Sequence, residues 1–229
     1  MEFILMPGGS VVGEARVPGD KSMSHRSIML GALAQGTTRV SGFLEGEDAL
    51  ATLAAFRAMG VEIERTAEGE VVIHGVGLHG LKAPSGPLDL GNAGTGMRLM
   101  CGLMAGQSFD TELTGDASLC SRPMGRVIDP LSQMGAQIDS QEGGRPPLKI
   151  KGACKLKGIA YDLPMASAQV KSCVLLAGLY SDGRTSVTEP APTRDHTERM
   201  LRGFGYDVQG EQGVISLQGG GELTACDID

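Results

Sequence analysis

The sequence predicts one α/β domain (α+β in the broader sense) over residues 18–229, with helices buried inside and sheets outside. Three observations support this prediction. A strand and helix pattern returns about every 70 residues, a strongly apolar helix opens each copy, and glycine is frequent while aromatic residues are scarce. Of 229 residues, 41% are hydrophobic and 21% are charged, which is the balance of a globular domain. The 35 glycines indicate short elements joined by tight turns.

A turn made of one hydrophobic residue and one glycine marks each copy of the pattern. The turns are Met59-Gly60, Met134-Gly135 and Phe204-Gly205, with glycines 75 and 70 residues apart. Glycine is typical of the position after a helix, because it adopts a left-handed backbone at little cost. A strand, a polar loop and an amphipathic helix are predicted before each turn, and these strands begin at Thr38, Thr111 and Thr185. In the first copy, the buried stripe of this helix is predicted from Leu50, Leu53, Ala54, Arg57 and Ala58.

Each copy also opens with a helix that is apolar on nearly every side. These helices are predicted over residues 24–35, 94–106 and 168–180. A helix without a polar face is buried, so the three are expected to pack together. Closing strands are predicted at 70–74, 148–151 and 214–217, which completes three βαβαββ-like units at about 18–85, 86–158 and 159–225.

Charge and cysteine usage exclude several classes of function. The net charge of −7 disfavours nucleic acid as a partner, because binding to a phosphate backbone needs clustered positive charge. Five cysteines without a CxxC pair indicate reduced thiols, and with no recognisable signal peptide they predict a cytoplasmic protein. No apolar run approaches the ~18 residues of a membrane span, so no membrane partner is expected.

The starts of the three apolar helices carry small and polar residues. They read Gly19-Asp20-Lys21-Ser22, Gly91-Asn92-Ala93-Gly94-Thr95 and Met165-Ala166-Ser167-Ala168-Gln169. Free N–H groups at a helix start bind anions, so we interpret three converging starts as a site for a multiply charged anion. The alternative is ordinary N-capping by Ser22, Asn92 and Ser167.

Cations lie close to these starts in the sequence. Lys21 and Arg26 flank the first start, and such a pair is hard to place in a core, whereas a phosphate or carboxylate would satisfy both. Arg122 and Arg194 lie in loops that are expected to project toward the same end. The alternatives are a solvated loop residue for Arg122 and an ion pair with Asp195 for Arg194.

The sequence gives no support for a metal or an organic cofactor. His74 and His79 lack a cysteine or carboxylate at metal-ligand spacing. Residues 75–80 match GxGxxG, but the prolines that follow exclude the helix that a dinucleotide site requires. His25 and His196 lie beside the proposed anion site and are interpreted as structural residues.

Five segments, in order, resemble the N-terminal half of the 5-enolpyruvylshikimate-3-phosphate synthase family. They are PGDKSMSHR, LGNAGTGMR, GDASLCSRPM, MASAQVKS and EPAPTRDHTE. The last two are similar to the class II branch. The resemblance implies an inside-out α/β barrel with two domains of three βαβαββ-like units, in agreement with the repeats. It also implies transfer of the enolpyruvyl group of phosphoenolpyruvate to the 5-hydroxyl of shikimate 3-phosphate, with release of phosphate and without a cofactor.

The resemblance also implies which residues bind each substrate. Lys21 would contact both substrates, and it is the residue expected to be catalytic. Shikimate 3-phosphate would be held by Lys21, Ser22, Arg26, Ser167, Ala168, Gln169 and Arg194. Phosphoenolpyruvate would be held by Lys21, Asn92, Gly94, Thr95, Arg122 and Gln169.

Two departures from the family pattern lead to further expectations. Glyphosate-tolerant class II members carry alanine where this chain has Gly94, so we expect sensitivity to glyphosate. The chain stops at Asp229, about where family members enter a second domain that holds their acid–base carboxylates. Residues 1–17 would form a strand of that domain. We therefore expect a monomeric substrate-binding half that is inactive without the missing C-terminal domain.

Two other functions were weighed against this one. The sister UDP-N-acetylglucosamine enolpyruvyl transferases have Lys-Asn where this chain has Lys21-Ser22, and a reactive cysteine where it has Ala117. Both differences argue against that activity. The other alternative is a non-catalytic anion-binding relative of the same fold.

Overall fold

A computed structural model of the chain describes residues 3, 4, 6, 8–10, 12–15 and 17–229. The helices are α1 (Lys21–Leu33), α2 (Glu47–Ala58), α3 (Gly94–Ala105), α4 (Ala117–Cys120), α5 (Gly125–Gln133), α6 (Ala168–Gly178) and α7 (His196–Gly203). The strands are β1 (Gln35–Val40), β2 (Glu62–Ala67), β3 (Glu70–Val76), β4 (Leu88–Asp89), β5 (Thr111–Thr114), β6 (Ile138–Gln141), β7 (Arg145–Ile150), β8 (Ala160–Asp162), β9 (Arg184–Thr188), β10 (Val208–Glu211) and β11 (Val214–Gln218).

Three sheets share one topology. The second sheet has the order β4-β5-β7-β6 and the third has β8-β9-β11-β10, each with one parallel edge pair and antiparallel pairs elsewhere. The first sheet has the order β1-β3-β2. Its missing parallel edge comes from the far end of the chain, where Thr224 and Ile228 form parallel bridges to Gln35 and Val40. The end of the chain therefore completes the first sheet and closes the three units into a ring.

The apolar helices α1, α3 and α6 form the core, as the sequence predicts. In α1, every residue from Ser24 to Leu33 is buried. Helices α3 and α6 approach so closely that a methyl group on Gly102 would lie 2.2 Å from the carbonyl oxygen of Cys173. The predicted arrangement of helices inside and sheets outside is confirmed.

The turns after the outer helices also match their prediction. Gly60, Gly135 and Gly205 have φ values of 88°, 102° and 80°. These values lie in the left-handed region, which L-residues with a Cβ rarely adopt. The sequence therefore located the ends of α2, α5 and α7 correctly.

The predicted buried stripe of α2 is wrong at three of its five residues. Leu53 is buried and Leu50 is half-buried as predicted, but Ala54, Arg57 and Ala58 are exposed. The buried face consists of Ala49, Thr52, Leu53, Ala55 and Phe56. Phe56 is fully buried, so its large ring fixes which side of the helix faces the core. A second difference is that α1 begins at Lys21 rather than at Ser24, which brings the basic residue into its first turn.

The strand predicted within residues 1–17 falls partly on Met1, Glu2, Leu5, Pro7, Val11 and Arg16, which lie outside the described residues. The described residues of this segment contain no strand. Their apolar side chains are exposed, with Phe3 at 82% and Val12 at 92%. Across the described part of the chain, no helix has both the length and the apolar composition required to cross a membrane.

Candidate anion-binding site

Hydrogen bonds hold the starts of the three core helices together. Gln169, in the first turn of α6, donates from Nε2 to Thr95 Oγ1 in the first turn of α3, at 2.9 Å. Arg26 in α1 donates from Nη2 to Ser172 Oγ in α6, at 2.9 Å. The starts that the sequence places far apart therefore meet at one end of the domain.

Arg26 lies in the interior, with only 4% of its surface exposed. It donates from Nε to Thr197 Oγ1 at 2.7 Å and from Nη1 to the Ser22 carbonyl at 2.9 Å, besides the bond to Ser172. Burial lowers the pKa of Arg26 to about 10, and Glu198 opposes this effect. The expectation that this cation does not fit in a core is wrong, because hydroxyl groups of α6 and α7 and a backbone carbonyl provide acceptors for it.

Lys21 has a different environment from Arg26. Its side chain is 52% exposed, and Nζ lies 2.8 Å from Asp48 Oδ2, a residue in the first turn of α2. This ion pair is open to solvent and therefore contributes little to stability. The two cations of the first motif are thus divided between the surface and the core.

Of the three N-caps proposed as an alternative to anion binding, one is observed. Ser167 caps α6, since its Oγ accepts from the Val170 N–H at 3.3 Å. Helix α1 is capped by Asp20, whose Oδ1 accepts from the Met23 N–H at 2.8 Å, and not by Ser22. Helix α3 has no side-chain cap, because its N-cap residue is Ala93, and Asn92 bonds Asp116 and Arg122.

Two arginines lie at the uncapped start of α3. A methyl group on Gly94 would lie 2.8 Å from Arg122 Nη1 and 3.3 Å from Arg98 Nη1. Arg122 also donates to Ser118 Oγ at 3.1 Å. Among the described residues, no carboxylate lies within 4.0 Å of either guanidinium. The start of α3 therefore combines a helix N-terminus without a side-chain cap with two arginines that form no ion pair among the described residues.

Arg98 is a site residue that the sequence reasoning missed. It donates to Gln169 Oε1 at 3.2 Å and to the Gly94 carbonyl at 3.3 Å. Partial burial lowers its pKa, and the charges of Arg122 and Arg126 lower it further. The sequence pattern predicts only an apolar helix here, although a lone arginine within such a run indicates a polar environment.

Arg194 is exposed and lies in the loop before α7. Two residues further on, His196 Nδ1 lies 3.9 Å from Asp20 Oδ1 at the cap of α1, so this loop runs beside the start of α1, and the charge of Arg194 contributes to lowering the pKa of Arg26. The alternative that it pairs with Asp195 is wrong, since the ion pairs of the described residues do not include one between them.

Both histidines beside the site make protein contacts. His25 is fully buried, and its Nδ1 lies 2.8 Å from Thr52 Oγ1, while Nε2 has no partner among the described residues. Burial lowers the pKa of His25 to about 4, so its ring is neutral at pH 7. His196 Nδ1 lies 3.9 Å from Asp20 Oδ1, next to the cap of α1.

Strand pairing brings together possible metal ligands that are not close in the sequence. In the first sheet, ligand atoms of Glu62, Glu64 and His74 lie within 4.8 Å of one another, because β2 pairs with β3. Spacing along the chain could not show carboxylates on a neighbouring strand. The group lies on the outer sheet and away from the helix starts. The GxGxxG match at 75–80 is followed by residues without a helix up to Gly94, as predicted.

Comparison with known proteins gives the family. The profile of the EPSP synthase (3-phosphoshikimate 1-carboxyvinyltransferase) family matches residues 5–229. The 3-phosphoshikimate 1-carboxyvinyltransferase of Alkalilimnicola ehrlichii is 67% identical over all of this chain and 51% of its own length. That of Hydrogenovibrio crunogenus is 66% identical, over all of this chain and 53% of its own length.

The fold comparison agrees with the sequence comparison. The EPSP synthase of Acinetobacter baumannii superimposes with a TM-score of 0.91 at 65% identity, covering 94% of this chain and 48% of that protein. The inside-out α/β barrel fold expected from the resemblance is confirmed. This chain spans about half the length of the relatives it matches. On its sequence and its fold, the chain belongs to the EPSP synthase (3-phosphoshikimate 1-carboxyvinyltransferase) family.

Proposed function

We propose that this chain binds shikimate 3-phosphate and phosphoenolpyruvate for transfer of the enolpyruvyl group to the 5-hydroxyl. In the addition step, the 5-hydroxyl loses its proton as its oxygen bonds to C2 of phosphoenolpyruvate, and C3 gains a proton. In the elimination step, the bond from C2 to the phosphate oxygen breaks and C3 loses a proton. Both substrates are polyanions, so holding them side by side requires several fixed cations and helix starts.

The start of α3 is the observation that carries this proposal. It has no side-chain cap, and the guanidinium groups of Arg122 and Arg98 both lie directly against Gly94. Neither Arg98 nor Arg122 has a carboxylate within ion-pair distance among the described residues. We assign phosphoenolpyruvate to this place, with ligands from Lys21, Asn92, Gly94, Thr95, Arg122 and Gln169.

We assign shikimate 3-phosphate to the starts of α1 and α6. Lys21 is exposed there and can contact both substrates, which fits the proposed catalytic role. Arg26 uses Nε, Nη1 and Nη2 for protein contacts, so two of its five N–H bonds remain for a ligand. The full set is Lys21, Ser22, Arg26, Ser167, Ala168, Gln169 and Arg194.

We further propose that this chain does not turn over substrate by itself, since its relatives are about twice as long. The proton transfers at C3 need acid–base groups, and we place those in a second domain. Residues 1–17 are proposed to pair with that domain, which fits their exposed apolar side chains. A monomer in the cytoplasm is also part of the proposal, and the five free cysteines suit a reducing compartment.

Calorimetric titration of the chain with shikimate 3-phosphate tests the proposal. We expect binding to one site, and a loss of at least about tenfold in affinity for Lys21→Ala. Lys155→Ala is the matched control, because Lys155 is also exposed but lies beside Gly135, in the turn after α5. Absence of binding by the wild-type chain, or equal binding of UDP-N-acetylglucosamine, would contradict the proposal. Phosphate release from the two substrates by this chain alone would contradict its inactivity.

A further inference from the structure

Lys171 is a buried cation that takes no part in the proposed substrate contacts. It lies in α6, two residues after Gln169, and is 1% exposed. Its Nζ lies 2.9 Å from Glu189 Oε2 and 2.6 Å from Glu198 Oε1, and these carboxylate side chains are 7% and 3% exposed. Burying an ammonium group between two carboxylates removes all three from water, which is costly unless their geometry is well fixed.

The two carboxylates belong to both ends of one short segment. Glu189 follows β9 directly, and Glu198 lies in the first turn of α7. Within the segment, Thr193 donates a hydrogen bond from Oγ1 to Glu189 Oε1. Lys171 thus fastens the beginning and the end of segment 189–198 to α6, and Thr193 joins the middle to the same group. Arg194 follows Thr193 and is exposed.

The charges of this buried group balance when Arg26 is included. Lys171 and Arg26 carry two positive charges, and Glu189 and Glu198 carry two negative charges. Glu198 is close enough to Arg26 to raise its pKa against the effect of burial. Arg194 takes no part in this balance. It is exposed and forms no ion pair among the described residues, so its charge is available to an anionic ligand.

We propose that Lys171 is a positioning residue, which holds segment 189–198 so that Arg194 faces the phosphate group of shikimate 3-phosphate. This inference rests on the proposed function. It predicts that the Lys171–Glu189–Thr193 contacts contribute to phosphate recognition although none of these residues touches the ligand.

The experiment compares dissociation constants for shikimate 3-phosphate and for shikimate, which lacks the phosphate. Arg194→Gln should lower the preference for the phosphorylated ligand by about tenfold or more. Thr193→Val breaks the contact with Glu189 without altering charge, and should lower the same preference while leaving shikimate binding unchanged. In the Arg194→Gln background, Thr193→Val should have no further effect, because both changes act through one interaction.

Lys171→Met tests the positioning residue directly. If this variant does not fold, the double variant Lys171→Met with Glu189→Gln replaces it, because that variant keeps the buried charges balanced. Both should lose the phosphate preference. Thr66→Val is the matched control, since Thr66 also bonds a glutamate, Glu70, but in the first sheet. It should leave the preference unchanged.

Two results would overturn the inference and leave the proposed function standing. One is an unchanged phosphate preference in Thr193→Val when Arg194→Gln loses it. The other is an equal loss of affinity for both ligands, which would show a general structural role. A wild-type chain that binds both ligands equally, or neither, would instead overturn the proposed function and this inference with it.

Discussion

Gly94 Cα faces Arg122 so closely that a methyl group in its place would come within 2.8 Å of Nη1. Real Cβ atoms do not approach a neighbour to this distance, so Gly94→Ala requires the guanidinium of Arg122 to move. The side-chain hydrogen bonds of Arg122 within the described chain both leave from Nη2, to Asn92 and Ser118, so Nη1 can shift by a few tenths of an ångström. The substitution is therefore expected to reshape the anion site without unfolding the domain.

We expect the wild-type protein to be sensitive to glyphosate, and Gly94→Ala should weaken the inhibition by at least about tenfold, or about 1.4 kcal/mol. The measurement is the inhibitory concentration for the chain joined to the second half of the enzyme. Gly125→Ala is the matched control, because Gly125 also begins a helix but a methyl group there meets nothing within 4 Å. Unchanged inhibition of Gly94→Ala would show that this contact does not govern glyphosate binding.

Substitutions of Lys21 and of Arg26 should change the free energy of unfolding by different amounts. Arg26→Lys removes part of a buried hydrogen-bond network and should lower the free energy of unfolding by about 2 to 4 kcal/mol. Lys21→Ala removes a solvent-open ion pair and should change it by less than about 1 kcal/mol. Urea unfolding measures both, and equal losses would contradict the division of these cations between core and surface.

Arg98→Met should weaken anion binding without a stability cost. Arg98 is partly buried beside the like charge of Arg122, so its loss also relieves repulsion. We expect about tenfold weaker binding of shikimate 3-phosphate with phosphoenolpyruvate present, and an unfolding free energy within about 1 kcal/mol of wild type. Calorimetry and urea unfolding measure the two quantities. The exposed Arg145 provides the control Arg145→Met, and full affinity in Arg98→Met would remove Arg98 from the site.

Acid should destabilise the domain through His25. Its pKa is about 4 in the folded chain and 6.5 ordinarily, so between these values the unfolded chain holds a proton that the folded chain does not. The stabilisation by the neutral ring is complete above pH 6.5 and is lost as pH falls toward 4, by about 3 kcal/mol in total.

The difference between wild type and His25→Gln in urea unfolding, followed from pH 7 to pH 4, checks this prediction. The wild type should lose about 3 kcal/mol more than the variant over this range. His79→Gln is the control, because His79 is exposed, and it should follow the wild type. Parallel curves for wild type and His25→Gln would contradict the assigned burial effect.

Much of the fold could be predicted because its determinants are local. The glycines at positions 60, 135 and 205 occupy left-handed backbone positions, and such positions are visible in a sequence as a hydrophobic residue followed by glycine. Burial of α1, α3 and α6 follows from their lack of a polar face. The face of α2 was mispredicted because the large ring of Phe56, which the predicted stripe omits, outweighs the small residues Ala54 and Ala58.

The candidate site was predictable as a set of helix starts but not as a set of contacts. That Arg98 bonds Gln169, 71 residues away, depends on how α3 packs against α6. The cluster of Glu62, Glu64 and His74 depends in the same way on strand register. Neither has a signature in local spacing, since the partners come from different elements.

By itself, the sequence determined the three-unit repeat, the turns and the end of the domain at which anions are expected, because periodicity and helix starts are properties of neighbouring residues. The tertiary structure alone decided that Arg26 is buried while Lys21 is exposed, and that residues 224–228 complete the first sheet. Both outcomes depend on partners far along the chain, such as Thr197, which lies 171 residues from Arg26. Only packing of the whole domain brings such residues into contact.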